Sequence, residues 1–150
     1  MEVSSCSFDW KEIMTRLLFF GLAFVALGCS SISGPDKEQV VGTIEHFSEP
    51  VMVQLPDTVA AGEAFAATVR TYGGGCTKKG DTKVEVDDLR ATVTPYDFRV
   101  ESNICTDILN AFQHTAMLRF QRAGTAEVVV QGRKQPGNEV VTVKRMVVVR

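Results

Sequence analysis

The stretch 114–150, HTAMLRFQRAGTAEVVVQGRKQPGNEVVTVKRMVVVR, is the most regular part of the chain and decides its fold. Apolar residues recur in it at every second position, as Leu118 and Phe120 do in the first part. A period of two is typical of a strand that buries one face. Turn residues at 122–124 and 133–138 separate three such runs. The stretch therefore predicts three consecutive strands joined by short turns.

The same signals continue towards the N-terminus. The segment 63–72, EAFAATVRTY, alternates in the same way, and shorter β-rich segments lie at 40–47, 50–56 and 89–94. The sequence therefore predicts an all-β domain over 40–150, an antiparallel β-sandwich of about seven to nine strands. The residues expected to face inward are Phe65, Ala67, Val69, Thr71, Leu89, Ala91, Val93, Ala116, Leu118, Phe120, Ala126, Val128 and Val130.

Several local features are expected to interrupt the strands. The charged segment 78–83, which follows the three glycines 73–75, predicts a solvated loop. Pro95 predicts a bend, and 102–112 predicts one or two helical turns with Thr106 or Asp107 as cap. Lys144-Arg145, in the middle of the last strand, predicts a bulge or an exposed crossing.

The closing segments LRFQRAGTAEVVVQGR (118–133) and VTVKRMVVVR (141–150) resemble the last three strands of bacterial immunoglobulin-like domains. In that family the pattern is an apolar residue, a Phe two residues later, a Gly four residues after the Phe, and then two apolar residues. Leu118, Phe120 and Gly124 match its first three positions. The resemblance covers roughly 50–150 and implies an immunoglobulin-like β-sandwich. It brings no catalytic residues, and this chain lacks the family's central Trp and its antibody-type placement of cysteines.

The N-terminal region reads as a secretion signal. Arg16 precedes an uncharged apolar run of eleven residues, Leu17 to Leu27, LLFFGLAFVAL. A signal peptide has a basic start, an apolar run of this length and small residues before the cut. The run is shorter than the roughly 20 apolar residues that a permanent transmembrane helix needs.

The end of this run, Ala26-Leu27-Gly28-Cys29, resembles the lipobox of bacterial lipoproteins. The resemblance implies that Cys29 receives a diacylglyceryl group, that the chain is cut before it, and that the new amine is acylated. Two or more acyl chains anchor a protein stably in a membrane. Ala26 and Leu27 depart from the commonest residues of the motif. The alternative is an ordinary signal peptide in which the cysteine is incidental.

The first thirteen residues, MEVSSCSFDWKEI, are too acidic for the start of a signal, because three acids oppose a single lysine. We therefore expect translation to begin at Met14. The expected organisation is a signal peptide over 1–28, a lipidated flexible tether over 29–39 and a β-sandwich domain over 40–150.

Four cysteines are present: Cys6, Cys29, Cys76 and Cys105. The first lies in the segment that is removed and the second carries the lipid, so two remain in an exported chain. An oxidising compartment favours a disulfide between Cys76 and Cys105. A metal-binding or reactive thiol pair is the alternative, although the spacing is not CxxC and no His is adjacent in sequence.

Other chemistry has weak support in the sequence. The net charge of −2 and the absence of a basic stripe give no reason to expect nucleic-acid binding. The glycines 73–75 lack a P-loop pattern, and the acids in 81–88 lack an EF-hand spacing, so no cofactor or metal is expected. His46 and His114 could each act as a general base. His114 is expected at the surface, at a loop junction, and no catalytic residues are predicted.

These observations favour a lipid-anchored, non-enzymatic protein of the bacterial cell envelope that binds another protein or supports envelope structure. By family resemblance, Ser30 after the lipid cysteine favours the outer membrane in a two-membrane cell. The alternative is a periplasmic enzyme or inhibitor that uses loops at one end of the sandwich. A polar pocket that gathers His46 or His114 with carboxylates would favour the enzyme, and a flat or apolar edge would favour the binding module.

Overall fold

The computed structural model describes residues 37–47, 49–102 and 104–150, which form an all-β structure. Ten strands are present in these ranges, and two of them have only two residues each. They are β1 (Lys37–Val41), β2 (Thr43–His46), β3 (Val53–Gln54), β4 (Thr58–Val59), β5 (Ala64–Gly73), β6 (Thr77–Asp87), β7 (Arg90–Val100), β8 (Asn110–Arg119), β9 (Gly124–Gln135) and β10 (Val140–Val149). Within the same ranges, no helix could cross a membrane.

All ten strands belong to one hydrogen-bonded sheet that is open and curled. On one side, β5 pairs with β8 along one edge and with β3 and β2 along the other. On the other side, β9 pairs with β10 along one edge and with β7 and β2 along the other, and β7 also pairs with β6 and β1. The short strand β2 thus joins the two groups of strands.

The predicted all-β class is confirmed, but the expectation of purely antiparallel pairing is wrong. Six strand pairs are antiparallel, whereas β4–β10, β2–β9 and β7–β9 are parallel. The parallel register of β7 and β9 runs from Arg90↔Glu127 to Val93↔Val130. Alternation of apolar residues shows which face of a strand is buried, but it does not show which strand lies beside it. The sequence therefore could not distinguish parallel from antiparallel pairing.

At Gly42 the chain passes from β1, which pairs with β7, to β2, which pairs with β9 and β5. The Gly42 N–H donates to the Pro95 carbonyl oxygen (2.9 Å), and its own carbonyl accepts from the Arg133 N–H (2.9 Å). A Cβ atom at this position would lie 2.5 Å from Thr71 Cγ2, which is closer than side chains pack. Only glycine therefore fits this position without displacing a neighbour. The expected single strand over 40–47 is in fact two strands that meet here, and β1 begins at Lys37, three residues before the predicted start of the domain.

One hydrophobic core lies between the strands of the two groups. All the residues expected to face inward are buried except Leu89, which is half-buried and packs against the core. The fully apolar cluster consists of Ile44, Phe65, Ala67, Val69, Ala91, Val93, Ala116, Leu118, Phe120, Ala126, Val128, Val130, Val147 and Val149. Burying a Val, Leu, Ile or Phe side chain contributes about 1.5–3 kcal/mol, so this cluster supplies most of the driving force for folding.

The charged segment 78–83 belongs to β6 and is not a loop, and Pro95 lies inside β7 and does not end it. The register of β6 against β7 shifts between Lys79 and Thr82, opposite Pro95. A proline cannot donate to a sheet ladder, and an irregularity in the partner strand accommodates it. The predicted helical turns in 102–112 are absent from the described residues there, and β10 pairs with β9 in continuous register through Lys144-Arg145 without a bulge.

The sulfur atoms of Cys76 and Cys105 lie at bonding distance, with their Cα atoms 5.2 Å apart. This pair connects the start of β6 to the segment 101–109, which links β7 to β8. The Val100 N–H donates to the Cys76 carbonyl (2.9 Å), and the Gly75 N–H donates to the Thr106 carbonyl (3.2 Å). The segment is therefore attached to the adjoining strands by covalent and hydrogen bonds. Cys6 and Cys29 lie outside the described residues.

Candidate functional site

Three strands change from apolar to polar inward-facing residues at the same end of the core. Along β5, Val69 is followed on the inward face by Thr71, and along β8, Ala116 is preceded by His114. Along β7, the inward series that begins at Ala91 ends at Asp97. All of these residues are buried. Folding therefore brings a threonine, an imidazole and a carboxylate together inside the protein.

The imidazole of His114 is the centre of this polar cluster. Its Nε2 lies 3.1 Å from Asp97 Oδ1 and 3.1 Å from Thr71 Oγ1. Its Nδ1 lies 3.2 Å from Oγ1 of Thr82, a half-buried residue of β6. The side chains of His114 and Asp97 are 0% and 2% exposed. We call Thr71, Thr82, Asp97 and His114 the buried polar cluster.

Each nitrogen of the His114 ring has a hydrogen-bond partner. An ionised carboxylate only accepts hydrogen bonds, so the Nε2–H of His114 donates to Asp97. The hydroxyl of Thr82, which can both donate and accept a hydrogen bond, lies 3.2 Å from Nδ1. Both ring nitrogens are therefore satisfied, as buried polar groups require.

The second carboxylate oxygen of Asp97, Oδ2, is buried and has no hydrogen-bond partner among the described residues. Asp97 lines a polar cavity of about 110 Å³, together with Gly42, Thr43, Tyr72 and Arg99. A water molecule needs only about 10–15 Å³ of such space, so the cavity has room for water near Asp97, although Oδ2 itself is buried. Because residue 42 is a glycine, the space beside Oδ2 is not filled; a Cβ atom there would lie 3.0 Å from this oxygen.

The surface position expected for His114 is wrong. Its side chain is fully buried, because the inward face of β8 that holds Ala116 and Leu118 continues to it in steps of two residues. That period was available in the sequence, and extending it by one step would have placed the imidazole in the core. No sequence signal connected His114 with Asp97, since their contact depends on how β7 and β8 are placed in space.

The other candidate residues lie apart from the buried polar cluster. His46, in β2, is half-buried beside the rings of Phe47 and Tyr72, with ring centroids 4.7 and 5.9 Å away. In the acidic segment 81–88, Glu85 pairs with Lys83 (2.7 Å), and Asp88 forms an ion pair with Arg122. Across the described part of the chain, no three His, Cys, Asp or Glu side chains come close enough together to hold a metal ion.

Three large apolar side chains are exposed on the outer side of β10. Val140, Met146 and Val148 on this face are exposed, and Met146 is 57% accessible to solvent. Among the described strands, the edge of β10 opposite β9 is paired only at Val148 and Val149, by β4. Val129, which lies between the inward-facing residues Val128 and Val130, is also buried, beside its register partners Thr92 and Lys144.

Charged side chains cross from β9 to this face. Glu127 Oε1 lies 2.9 Å from Lys144 Nζ, and Glu127 Oε2 lies 3.6 Å from an Arg90 guanidinium nitrogen. The hydrogen bond from Lys144 is the main cause that lowers the pKa of the Glu127 carboxyl, and the positive charges of Lys144 and Arg90 add to it. Lys134, also on β9, donates a hydrogen bond to Glu45 of β2, and this bond raises the pKa of the Lys134 ammonium group.

Three further large apolar side chains are exposed between residues 104 and 109. Ile104, Ile108 and Leu109 are 84%, 53% and 50% exposed although they are large and apolar. The segment 101–109 is fixed by the Cys76–Cys105 disulfide, and a surface cavity of about 380 Å³ lies beneath it. We call Ile104, Ile108 and Leu109 the loop triad.

No protein-family model matches this chain, and no curated protein or solved structure matches it either. Functional inference therefore depends on the chemistry of its own residues. Cys29, Met14 and the rest of the segment 1–36 lie outside the described residues.

Proposed function

We propose that this chain is a lipid-anchored, non-enzymatic module of the bacterial cell envelope that binds another protein along β10. The observation that carries the proposal is the open edge of β10, with Val140, Met146 and Val148 exposed beside it. An unpaired strand edge offers backbone N–H and C=O groups to an added strand, and neighbouring apolar side chains strengthen and select the partner.

The anchor in this proposal is Cys29, within the lipobox-like stretch 26–29. Lipidation there would hold the domain at a membrane surface facing the periplasm or the exterior, with the outer membrane favoured by Ser30. Intact-mass measurement of the membrane-extracted protein tests it. We expect a chain that begins at Cys29 and carries acyl groups, and a Cys29→Ser variant that is released to the soluble fraction.

Within the all-β class, we propose that the specific fold is an immunoglobulin-like β-sandwich. Two observations support it. One core lies between the β5–β8 group and the β7–β9–β10 group, and the sequence around Phe120 and Gly124 resembles the closing strands of such domains. The parallel pairing of β7 with β9 departs from the antiparallel sheets of such domains. An experimental structure of residues 37–150 within the full chain would decide between this fold and a different curled sheet.

The buried polar cluster supports the binding module more than the alternative of an enzyme. A general base must come within hydrogen-bond distance of a substrate proton, directly or through one water molecule. The His114 ring is 0% exposed, and both of its nitrogens already have protein partners. We therefore assign the cluster to the stability and specificity of the core.

Site-specific photo-crosslinking in intact cells tests the proposed binding surface. A photoreactive amino acid is placed at Met146 on β10 and, as matched control, at Met117 on the outer face of β8. The two methionines are similarly exposed, at 57% and 60%. We expect a discrete crosslinked protein from position 146 and none from position 117. Equal products from both positions, or none from 146, would contradict binding along β10.

A further inference from the structure

The described domain begins beside the loop triad. Lys37, its first residue, is the register partner of Val100, and the segment that carries the triad follows directly at 101–109. The chain before residue 37 therefore enters the domain at the end where the loop triad is exposed. The opposite end of the same strands is the β6–β7 turn, where Asp87 pairs with Arg90.

The length of chain between Cys29 and Lys37 limits how far this end can lie from an anchor at Cys29. Seven residues lie between them, which makes eight Cα-to-Cα steps, and an extended chain spans at most about 3.3–3.6 Å per step, or about 26–29 Å in all. A headgroup region is about 5–8 Å thick, so the extended segment is long enough to pass through it and leave the domain at the membrane surface. If Cys29 carries lipid, the chain before Lys37 is long enough for the loop triad to reach the bilayer surface.

The triad is held in a form suited to contact with a membrane. The disulfide of Cys105 and the hydrogen bond from Gly75 N–H to the Thr106 carbonyl fix the middle of the segment. The side chain of Asn110 donates to the Gly74 carbonyl (3.4 Å) at its end. Ile104, Ile108 and Leu109 therefore remain exposed on a braced loop, and little conformational freedom is lost when they meet a partner.

We propose that the loop triad inserts into the interfacial region of the bilayer that holds the lipid anchor, and so fixes the orientation of the domain. This inference rests on the proposed lipidation of Cys29. Exposed charges near the triad are mixed: the cations are Lys37, Lys78, Lys79 and Arg99, and the anions are Glu38, Glu101 and Asp107. Because these charges nearly cancel, apolar contact drives the insertion, and it depends little on salt or on anionic lipid.

Tryptophan fluorescence in vesicles tests the proposal. Trp10 is the only tryptophan, and it lies in the segment removed with the signal peptide, so an introduced tryptophan is a unique reporter. The full chain is expressed, extracted from membranes, and reconstituted into phosphatidylcholine vesicles that contain brominated lipid. Ile108→Trp reports on the triad, and Val86→Trp, at an exposed apolar position near the β6–β7 turn, is the control.

We expect bromine quenching at position 108 to exceed that at position 86 several-fold, with little change between low and high salt. Adding Ile104→Asn and Leu109→Asn to Ile108→Trp should reduce the quenching to the control level while leaving the melting temperature nearly unchanged. Equal quenching at 108 and 86 in a protein whose mass includes the lipid overturns the insertion but not the anchor. A mature protein whose mass shows no lipid on Cys29 overturns the proposed anchor, and the proposed insertion with it.

Discussion

The core has an apolar part and a polar part, and the strands β5, β7 and β8 contribute residues to both. In the apolar part, Phe65, Ala116 and Leu118 contact other hydrocarbon groups, and the rings of Phe65 and Phe120 lie 5.8 Å apart. In the polar part, His114 and Asp97 are just as deeply buried but meet through hydrogen bonds.

The two parts of the core differ in how strongly each side chain depends on the side chains that it contacts. Dispersion and the hydrophobic effect are not directional, so a side chain in the apolar part can be exchanged for another of similar volume at small cost. In the polar part, each group offsets the desolvation of another, and removal of one leaves its partner buried without compensation. Four predictions follow, from the largest expected effect to the smallest; two test this contrast directly, and two compare it with the disulfide and with a surface ion pair.

The largest effect is expected from His114→Leu. The substitution leaves the Asp97 carboxylate buried without its donor, which should lower the free energy of unfolding by about 3–5 kcal/mol. In the double variant Asp97→Leu/His114→Leu the unpaired charge is absent, so its cost should be well below the sum of the single costs. Urea unfolding of the four proteins measures the coupling. Additive costs would mean that the two side chains do not stabilise each other.

Removal of the disulfide should have the next largest effect. The bond closes a loop with a sequence separation of 29 residues, and the entropy model gives about 3–4 kcal/mol for a loop of this size. Cys76→Ser/Cys105→Ser should therefore unfold at lower temperature than the oxidised protein. Treatment of the unchanged protein with reductant is the control, and it should lower the melting temperature by a similar amount. An unchanged melting temperature in both cases would contradict a stabilising role.

A conservative exchange sharpens the comparison within one strand. Leu118→Met, in the apolar part of β8, should cost less than about 1.5 kcal/mol, because a flexible side chain of similar volume refills the space. His114→Gln, four residues away on the same face, should cost clearly more, because an amide cannot reproduce both ring contacts. Chemical denaturation of the two variants compares them directly, and equal costs would remove the distinction between the two parts of the core.

The smallest effect is expected from the surface pair of Glu127 and Lys144. The folded-state pKa of Glu127 is lowered from 4.5, so the carboxylate stabilises the protein above pH 4.5 and loses this contribution as pH falls through the lower, folded pKa. Glu127→Gln should therefore flatten the decline in melting temperature below pH 4.5. Glu38→Gln, an exposed position with no ion pair among the described residues, is the control. Identical acid profiles for the two variants would argue against the interaction.

The sequence predicted the all-β class and most of the inward faces, because a period of two directly reports burial. The charged segment 78–83 was missed as a strand for the same reason, since its side chains are largely exposed and carry no apolar signal. The site could be predicted only in part. Thr71 was placed inward, whereas the role of Asp97 requires that β7 and β8 face each other, and no local pattern in a single sequence encodes that distance.

The pairing of β1 with β7 has a mechanical consequence. Tension on the chain before residue 37 acts first on Lys37, and a pull along the strand loads all five residue pairs, from Lys37↔Val100 to Val41↔Tyr96, in shear. Bonds loaded together resist more force than bonds that open one at a time. Val100 passes the load to Cys76 by its backbone hydrogen bond, and from there the force reaches a covalent crosslink. Tension on the N-terminal segment is thus shared between the β1–β7 ladder and the disulfide.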